Sequence, residues 1–320
     1  MSHLSAASGE KENVLIRAGA CSVTLMPQYG GKIASLQIGG RELLQAPLAP
    51  VAARTRTMPF DAADASGWDE CLPSVAACAV SFGGQVQIPD HGDLWRVAWE
   101  TLGVDSQSAS LRGRCFSLPL ALERTLSLVE VKPGRAWKLA IQYKVTNTGS
   151  EPAPWSWAAH PLFVAEPGDR IYLPESIRSL RLEGSGGGRL GKSGDTVEWP
   201  NATLVDGTTC ALDIAQAPDT AIGDKLFAGP LTEGQDWCTL ERPSAGVRLR
   251  VSLDPVATPY IGMWICYGGW PERPGPKQVC VALEPATAPV DSLAHSGPWS
   301  RVLAGGQSYS WPMYLDLELM

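Results

Sequence analysis

Two titratable side chains stand immediately before prolines in strand-like segments: His160 in Trp157-Ala158-Ala159-His160-Pro161 and Glu284 in Val281-Ala282-Leu283-Glu284-Pro285. Proline disfavours helix at the residue before it and offers no N–H to a sheet ladder, so each side chain is expected where a strand leaves its sheet. An imidazole and a carboxylate brought together by the fold would make an acid–base pair working near neutral pH. Their surroundings favour a cleft. Val279, Val281 and Leu283 form the apolar face of one strand and leave Glu284 beside the small Cys280 and Ala282. Near His160, Ser156 and Ala158 share its face while Trp155 and Trp157 take the other.

Other polar clusters carry less by themselves. Asp90-His91-Gly92-Asp93 places a histidine between carboxylates, with a glycine that permits a tight turn, and read alone it is an aspartate-rich turn. Ser66-Gly67-Trp68-Asp69-Glu70 suits sugar hydroxyls or a solvated loop. Tyr260-Ile261-Gly262-Met263-Trp264 offers aromatic surface, and Trp264 is either core or a stacking platform. The four histidines (His3, His91, His160, His295) show no ligand spacing, so no metal site is expected. Gly186 to Ser193 satisfies the phosphate-loop pattern. Gly194, Asp195 and Pro200 leave no room for the helix that such a loop must precede, so the match is read as chance.

These groups need a scaffold, and the alternation supplies it. Trp137, Leu139, Ile141, Tyr143 and Val145 alternate with polar residues, as do Val247, Leu249, Val251 and Leu253, and Trp311, Met313, Leu315, Leu317 and Leu319. Val23 and Leu25 followed by Gly30-Gly31, then Ala34, Leu36 and Ile38 followed by Gly39-Gly40, read as a hairpin or meander. Strands with one covered face imply antiparallel sheets, and the fold expected is a large antiparallel β-sandwich with few helices. The 33 glycines and 26 prolines suit its many turns. A flexible N-terminus over residues 1–12 and one domain over 13–320 are expected, with Glu183 to Thr196 the most flexible internal stretch.

Composition narrows the function classes. A net charge of −7 argues against nucleic acid as a partner, and no apolar run reaches the roughly 18 residues of a membrane span. The N-terminal residues lack the apolar stretch of a signal peptide. Eight cysteines without a Cys-x-x-Cys pair fit buried thiols in a reducing cytoplasm. The twelve tryptophans are core fillers that also provide stacking surfaces for a sugar ring.

Taken in order, Gly30-Gly31-Lys32-Ile33 with Ser35-Leu36, Asp90-His91-Gly92, Asn147-Thr148-Gly149 leading to His160-Pro161-Leu162-Phe163, and Leu283-Glu284-Pro285 before Asp291-Ser292 resemble the aldose 1-epimerase (galactose mutarotase) family. The resemblance extends from about Val14 to Leu319 and implies a β-sandwich of this length. It further implies that Glu284 is the general base for the anomeric hydroxyl, His160 the general acid for the ring oxygen, and His91 a substrate-binding histidine. Asp224, Trp264 and Arg54 (or Arg56) are the candidates for further substrate contacts. The implied reaction interconverts the α and β anomers of a free aldose without cofactor, in a monomer or homodimer. Ala159-His160-Pro161-Leu162-Phe163 departs from the family's Asn-His-x-Tyr-Phe-like segment, which marks a divergent branch with a substrate other than galactose in view. The competing readings are a non-catalytic carbohydrate-binding protein and an epimerase for a phosphorylated hexose or uronate, which would need a cationic pocket.

Overall fold

The computed structural model describes residues 13–320, so the expectation for the N-terminal 1–12 lies outside the described residues. Antiparallel strands dominate, and among the described residues the only helices are three-residue 3₁₀ turns. One sheet of eleven strands runs Val14–Ala18, Cys21–Met26, Lys32–Ile38, Trp68–Cys71, Ala158–Val164, Val279–Ala286, Tyr260–Tyr267, Ile222–Ala228, Ser179–Ser185 and Thr196–Glu198, with Arg41–Glu42 paired to Lys32–Ile38. A second sheet of eight strands has Ser308–Leu319 at its centre, between Val247–Leu253 and Ala136–Asn147. This is the β-sandwich expected from the alternation, and the Gly30-Gly31 hairpin forms between Cys21–Met26 and Lys32–Ile38.

The period-two residues do what their pattern requires. Leu139, Ile141, Tyr143 and Val145, with Trp311, Met313, Leu315 and Leu317, enter one continuous core shared with Val281 and Leu283 of the larger sheet. Burying each such side chain removes enough apolar surface to contribute about 1.5–3 kcal/mol. The opposite face of the larger sheet is lined near its middle by small or polar residues, among them Cys280, Ala282 and Ala158. There the loops gather and the sheet is free to hold a ligand.

One expectation needs correction. Glu70 is neither a sugar ligand nor part of a solvated loop. It is fully enclosed, accepting hydrogen bonds from Arg124 Nη1 (2.7 Å), Tyr143 Oη (3.0 Å) and Trp157 Nε1 (2.9 Å). Burial raises its carboxyl above the usual range even though these bonds oppose the shift. Asp69 is likewise buried, on Lys32 Nζ at 2.6 Å. The Gly186 to Ser193 stretch makes a 3₁₀ turn at Gly186–Gly188 and meets no helix, in agreement with its reading as a chance motif.

Candidate functional site

The two prolines do more than end strands. Pro161 lies inside Ala158–Val164 and Pro285 inside Val279–Ala286, so both strands continue past them. Ala158 opposes Ala286 and Leu162 opposes Ala282, which puts His160, midway, directly across from Glu284. Between those matched pairs the ladder is open. Pro161 and Pro285 would occupy it there, and neither has an N–H to donate. The sequence thus weakens the sheet where its imidazole and carboxylate meet.

The neighbouring strands complete the floor. Glu284 opposes Gly262 on its other side, and a Cβ on Gly262 would lie 3.2 Å from Glu284 Oε2 and 3.1 Å from Phe227 Cε1. The missing side chain gives the carboxylate its room. One strand further, Lys225 reaches back to form an ion pair with Glu284 Oε2, and its Nζ is 3.5 Å from Asp291 Oδ1. His160 Nε2 is 3.8 Å from Glu284 Oε1, an ion-pair distance rather than a hydrogen bond. Both Glu284 Oε1 and His160 Nδ1 are buried without a hydrogen-bond partner among the described residues.

A cavity of 430 Å³ opens above this floor, within the roughly 300–1,000 Å³ usual for small-molecule sites. His91, His160, Lys225 and Asp291 face it, with aromatic walls from Phe60, Trp264 and Trp270. Exposed Pro59, Asp61 and Asp90 mark its mouth. His91 occupies a left-handed turn at φ 57°, fixed by Arg96 Nη1 donating to the carbonyls of Asp90 and Gly92, each at 2.6 Å. Its ring stacks on Phe60 at 3.7 Å and stands edge-on to His160 at 5.1 Å, while Nδ1 lies 2.8 Å from Asp90 Oδ2. Trp264 donates from Nε1 to Gln278 Oε1 (2.9 Å), which fixes the plane of its indole against the cavity.

The electrostatics set the resting protonation. Burial holds His160 well below the usual histidine range, and the neighbouring charges of His91, Lys225 and Lys32 push the same way. Its imidazole therefore rests neutral at pH 7. Burial raises the Asp291 carboxyl; Lys225 opposes this and Glu284 adds to it. Lys225 is raised as well, because attraction to Asp291 and Glu284 outweighs the cost of its burial. Burial raises Asp90 too, but the hydrogen bond from His91 outweighs it and leaves the carboxyl below its ordinary value.

Of the residues singled out from sequence, His91, His160 and Trp264 line the cavity together. Glu284 meets His160 but is itself 0% exposed, and it touches the cavity only through His160 and Lys225. Asp224 does not reach it. Successive strand residues point to opposite faces, and Asp224 turns away from Lys225 to pair with Arg189 and to accept from Ser185 Oγ at 2.7 Å. Arg54 is also elsewhere, bound to Asp64, whose carboxyl is lowered to about 2 by Lys32 and Arg54 against its burial. Arg56 packs over Phe116. Phe60, Lys225, Trp270 and Gln278 were not legible as site residues. A lone lysine in the otherwise apolar Lys225-Leu226-Phe227-Ala228 run was the one available signal.

No protein-family model and no curated protein matches the chain by sequence. Solved structures do match it. The Slr1438 protein of Synechocystis sp. PCC 6803 is 16% identical with a TM-score of 0.69, over 100% of both chains. An Escherichia coli K12 protein named only as a candidate aldose 1-epimerase is 19% identical with a TM-score of 0.70, over 97% of this chain and 99% of that one. A galactose mutarotase-like protein from Lactobacillus casei ATCC 334 is 14% identical with a TM-score of 0.68, over 96% of this chain and 100% of its own. At such identities the likeness is one of fold. The chain has the galactose mutarotase-like sandwich fold.

Proposed function

We propose that the protein is a sugar isomerase that interconverts the anomers of a free, uncharged aldose, as a divergent member of the aldose 1-epimerase family. One observation carries this reading. A neutral imidazole, His160, and two carboxyl groups bridged by one lysine, Glu284 and Asp291, converge beside a cavity with aromatic walls. Opening a pyranose ring requires a proton to leave the anomeric oxygen and another to reach the ring oxygen of the same molecule. Groups held within one small cavity serve both atoms without diffusion. Phe60, Trp264 and Trp270 offer faces for the apolar side of the ring, and His91 offers a ring nitrogen for its hydroxyls.

The charge of the cavity favours an uncharged substrate over a phosphorylated hexose or a uronate. Asp61, Asp90 and Asp291 line it, against a single lysine already engaged by Glu284 and Asp291. Among the described residues no lysine or arginine other than this engaged one lines the cavity to meet a phosphate. The test is polarimetry on freshly dissolved α-glucose and α-galactose. The reading expects mutarotation faster than the buffer rate and saturable in sugar. Binding without acceleration would make the protein a carbohydrate-binding module instead.

A further inference from the structure

A histidine that exchanges a proton does so at one ring nitrogen, and the partner of the other nitrogen sets which one. In His160, Nε2 is on the Glu284 side, 3.8 Å from Oε1. The two nitrogens of an imidazole look roughly opposite ways, so Nδ1 is turned to the strand on the other flank, Trp68–Cys71. There Asp69 stands directly across from His160 in the antiparallel register. Residues so opposed share one face of the sheet, with Cβ atoms about 4.5–5.5 Å apart. The alternation agrees, because the adjoining Glu70 and Ala159 both turn to the sandwich core. Among the described residues, Asp69 Oδ1 and His160 Nδ1 are each buried without a hydrogen-bond partner. A carboxylate oxygen accepts and a ring N–H donates, so the two are complementary, and a buried water held between them satisfies both. The other Asp69 oxygen, Oδ2, is taken by Lys32 Nζ at 2.6 Å, and that ammonium also donates to the Ser66 carbonyl and lies 3.2 Å from Asp64 Oδ2. Asp69 is thereby fixed with Oδ1 left over. The rival acceptor is the carbonyl of His160 itself, whose effect on the ring is smaller than that of burial or of the charges on His91, Lys225 and Lys32.

Resting on the anomer-interconversion reading, we propose that Asp69 is a positioning residue for that reaction: through one buried water it holds the His160 proton on Nδ1 and leaves Nε2 as the nitrogen that exchanges a proton with the sugar. The strands on both flanks of His160 thus supply a carboxyl group, Glu284 beside Nε2 and Asp69 beyond Nδ1. Asp69 also faces the positive charge on the ring when both nitrogens are protonated, the state from which Nε2 supplies a proton to the sugar ring oxygen. Giving up that proton returns the imidazole to its neutral form with Nδ1 still protonated. The ring then needs no reorientation between donating and recovering the proton at Nε2.

The test is the tautomer of His160, read from long-range nitrogen–proton correlations of protein labelled with nitrogen-15 histidine, with H160N giving the assignment. Wild type should show Nδ1 protonated and Nε2 bare. In D69N the amide oxygen must stay on Lys32, which has only protons to donate, so the amide NH₂ replaces Oδ1 and the hydrogen-bond chain reverses. The His160 proton should then move to Nε2, and kcat by polarimetry should fall about 10²-fold or more with KM little changed. D69E, which keeps a carboxylate for Lys32 and the ring, should restore the Nδ1–H tautomer and activity well above D69N. Protonation at Nε2 in wild type, the same tautomer in wild type and D69N, or D69N with kcat above about a tenth of wild type would each overturn the assignment. Should D69N fail to fold, wild type decides alone: an Nδ1 proton with a nuclear Overhauser contact to a bound water supports the assignment, and its absence overturns it. The tautomer needs no substrate, so a wild type inactive on every aldose would overturn the proposed function and leave the tautomer result intact.

Discussion

Replacing Lys225 with methionine tests the electrostatic frame of the site. Methionine keeps the length of the side chain and discards its charge. Glu284 is 0% exposed, and among the described residues Lys225 supplies the hydrogen bond to Oε2 while Oε1 has none. Removing one partner of a buried pair strands the other's charge and typically costs 3–5 kcal/mol, so a loss of about that size is expected. At about 2.1 cal/mol/K per residue, a chain of 320 residues has an unfolding entropy near 0.67 kcal/mol/K, and the melting temperature should fall by roughly 4–7 °C. The loss should depend on pH in a definite direction. Asp291 is already raised by burial and by Glu284, with Lys225 opposing, so its carboxyl rises further once the ammonium is gone. A raised carboxyl contributes stability that is complete below its unfolded value of about 3.9 and is lost as pH rises through the folded value. The gap between K225M and wild type should therefore widen from pH 5 to pH 8. Differential scanning calorimetry at the two pH values reads it. A gap within 1 °C at pH 8, or one that narrows with rising pH, would refute the buried pair as described.

Three further outcomes follow from named contacts. Because His160 is held neutral and below its ordinary range, its stabilising contribution is present above about pH 6.5 and is lost as pH falls through the folded value, so H160Q should flatten the acid limb of a melting-temperature profile between pH 7 and 4.5. In G262A the added methyl meets Phe227 and Glu284 at 3.1–3.2 Å, and overpacking of this kind costs about 1–3 kcal/mol; a melt unchanged from wild type would show that the floor is looser than described. H91F should keep the stack on Phe60 while losing the ring nitrogens, raising KM about tenfold, the equivalent of one hydrogen bond of roughly 1.4 kcal/mol, with kcat little changed.

The fold was legible because one face of each long strand is covered. The period-two residues from Trp137 to Val145 and from Trp311 to Leu319 assign their own burial. The pairing of His160 with Glu284 was legible as chemistry but not as geometry. Prolines following each residue signal an interruption in a ladder, and sequence alone reads that as a strand end rather than an opening inside a continuous strand. Asp224 shows how little separates a right element from a wrong residue. The strand Ile222–Ala228 does border the site, but its face alternates every residue, so the side chain reaching the cavity is Lys225. Asp291 and Phe60 enter from connecting segments whose course depends on contacts distant in sequence, such as Val75 and Ala76 donating to the Asp291 carbonyl. Arg54, on a similar segment, is drawn away by Asp64.

The central claim is that the site around His160 exchanges the anomers of a free aldose. Proton exchange spectroscopy on an equilibrated aldose reads the claim directly, because α and β anomeric protons have separate signals and their cross-peaks measure interconversion without a coupled enzyme. Wild type should give α–β cross-peaks above the buffer background, while H160N should lose them by about 10²-fold or more yet still bind the sugar. Cross-peaks of equal intensity in both proteins, or none above background for any aldose that binds wild type, would contradict the account.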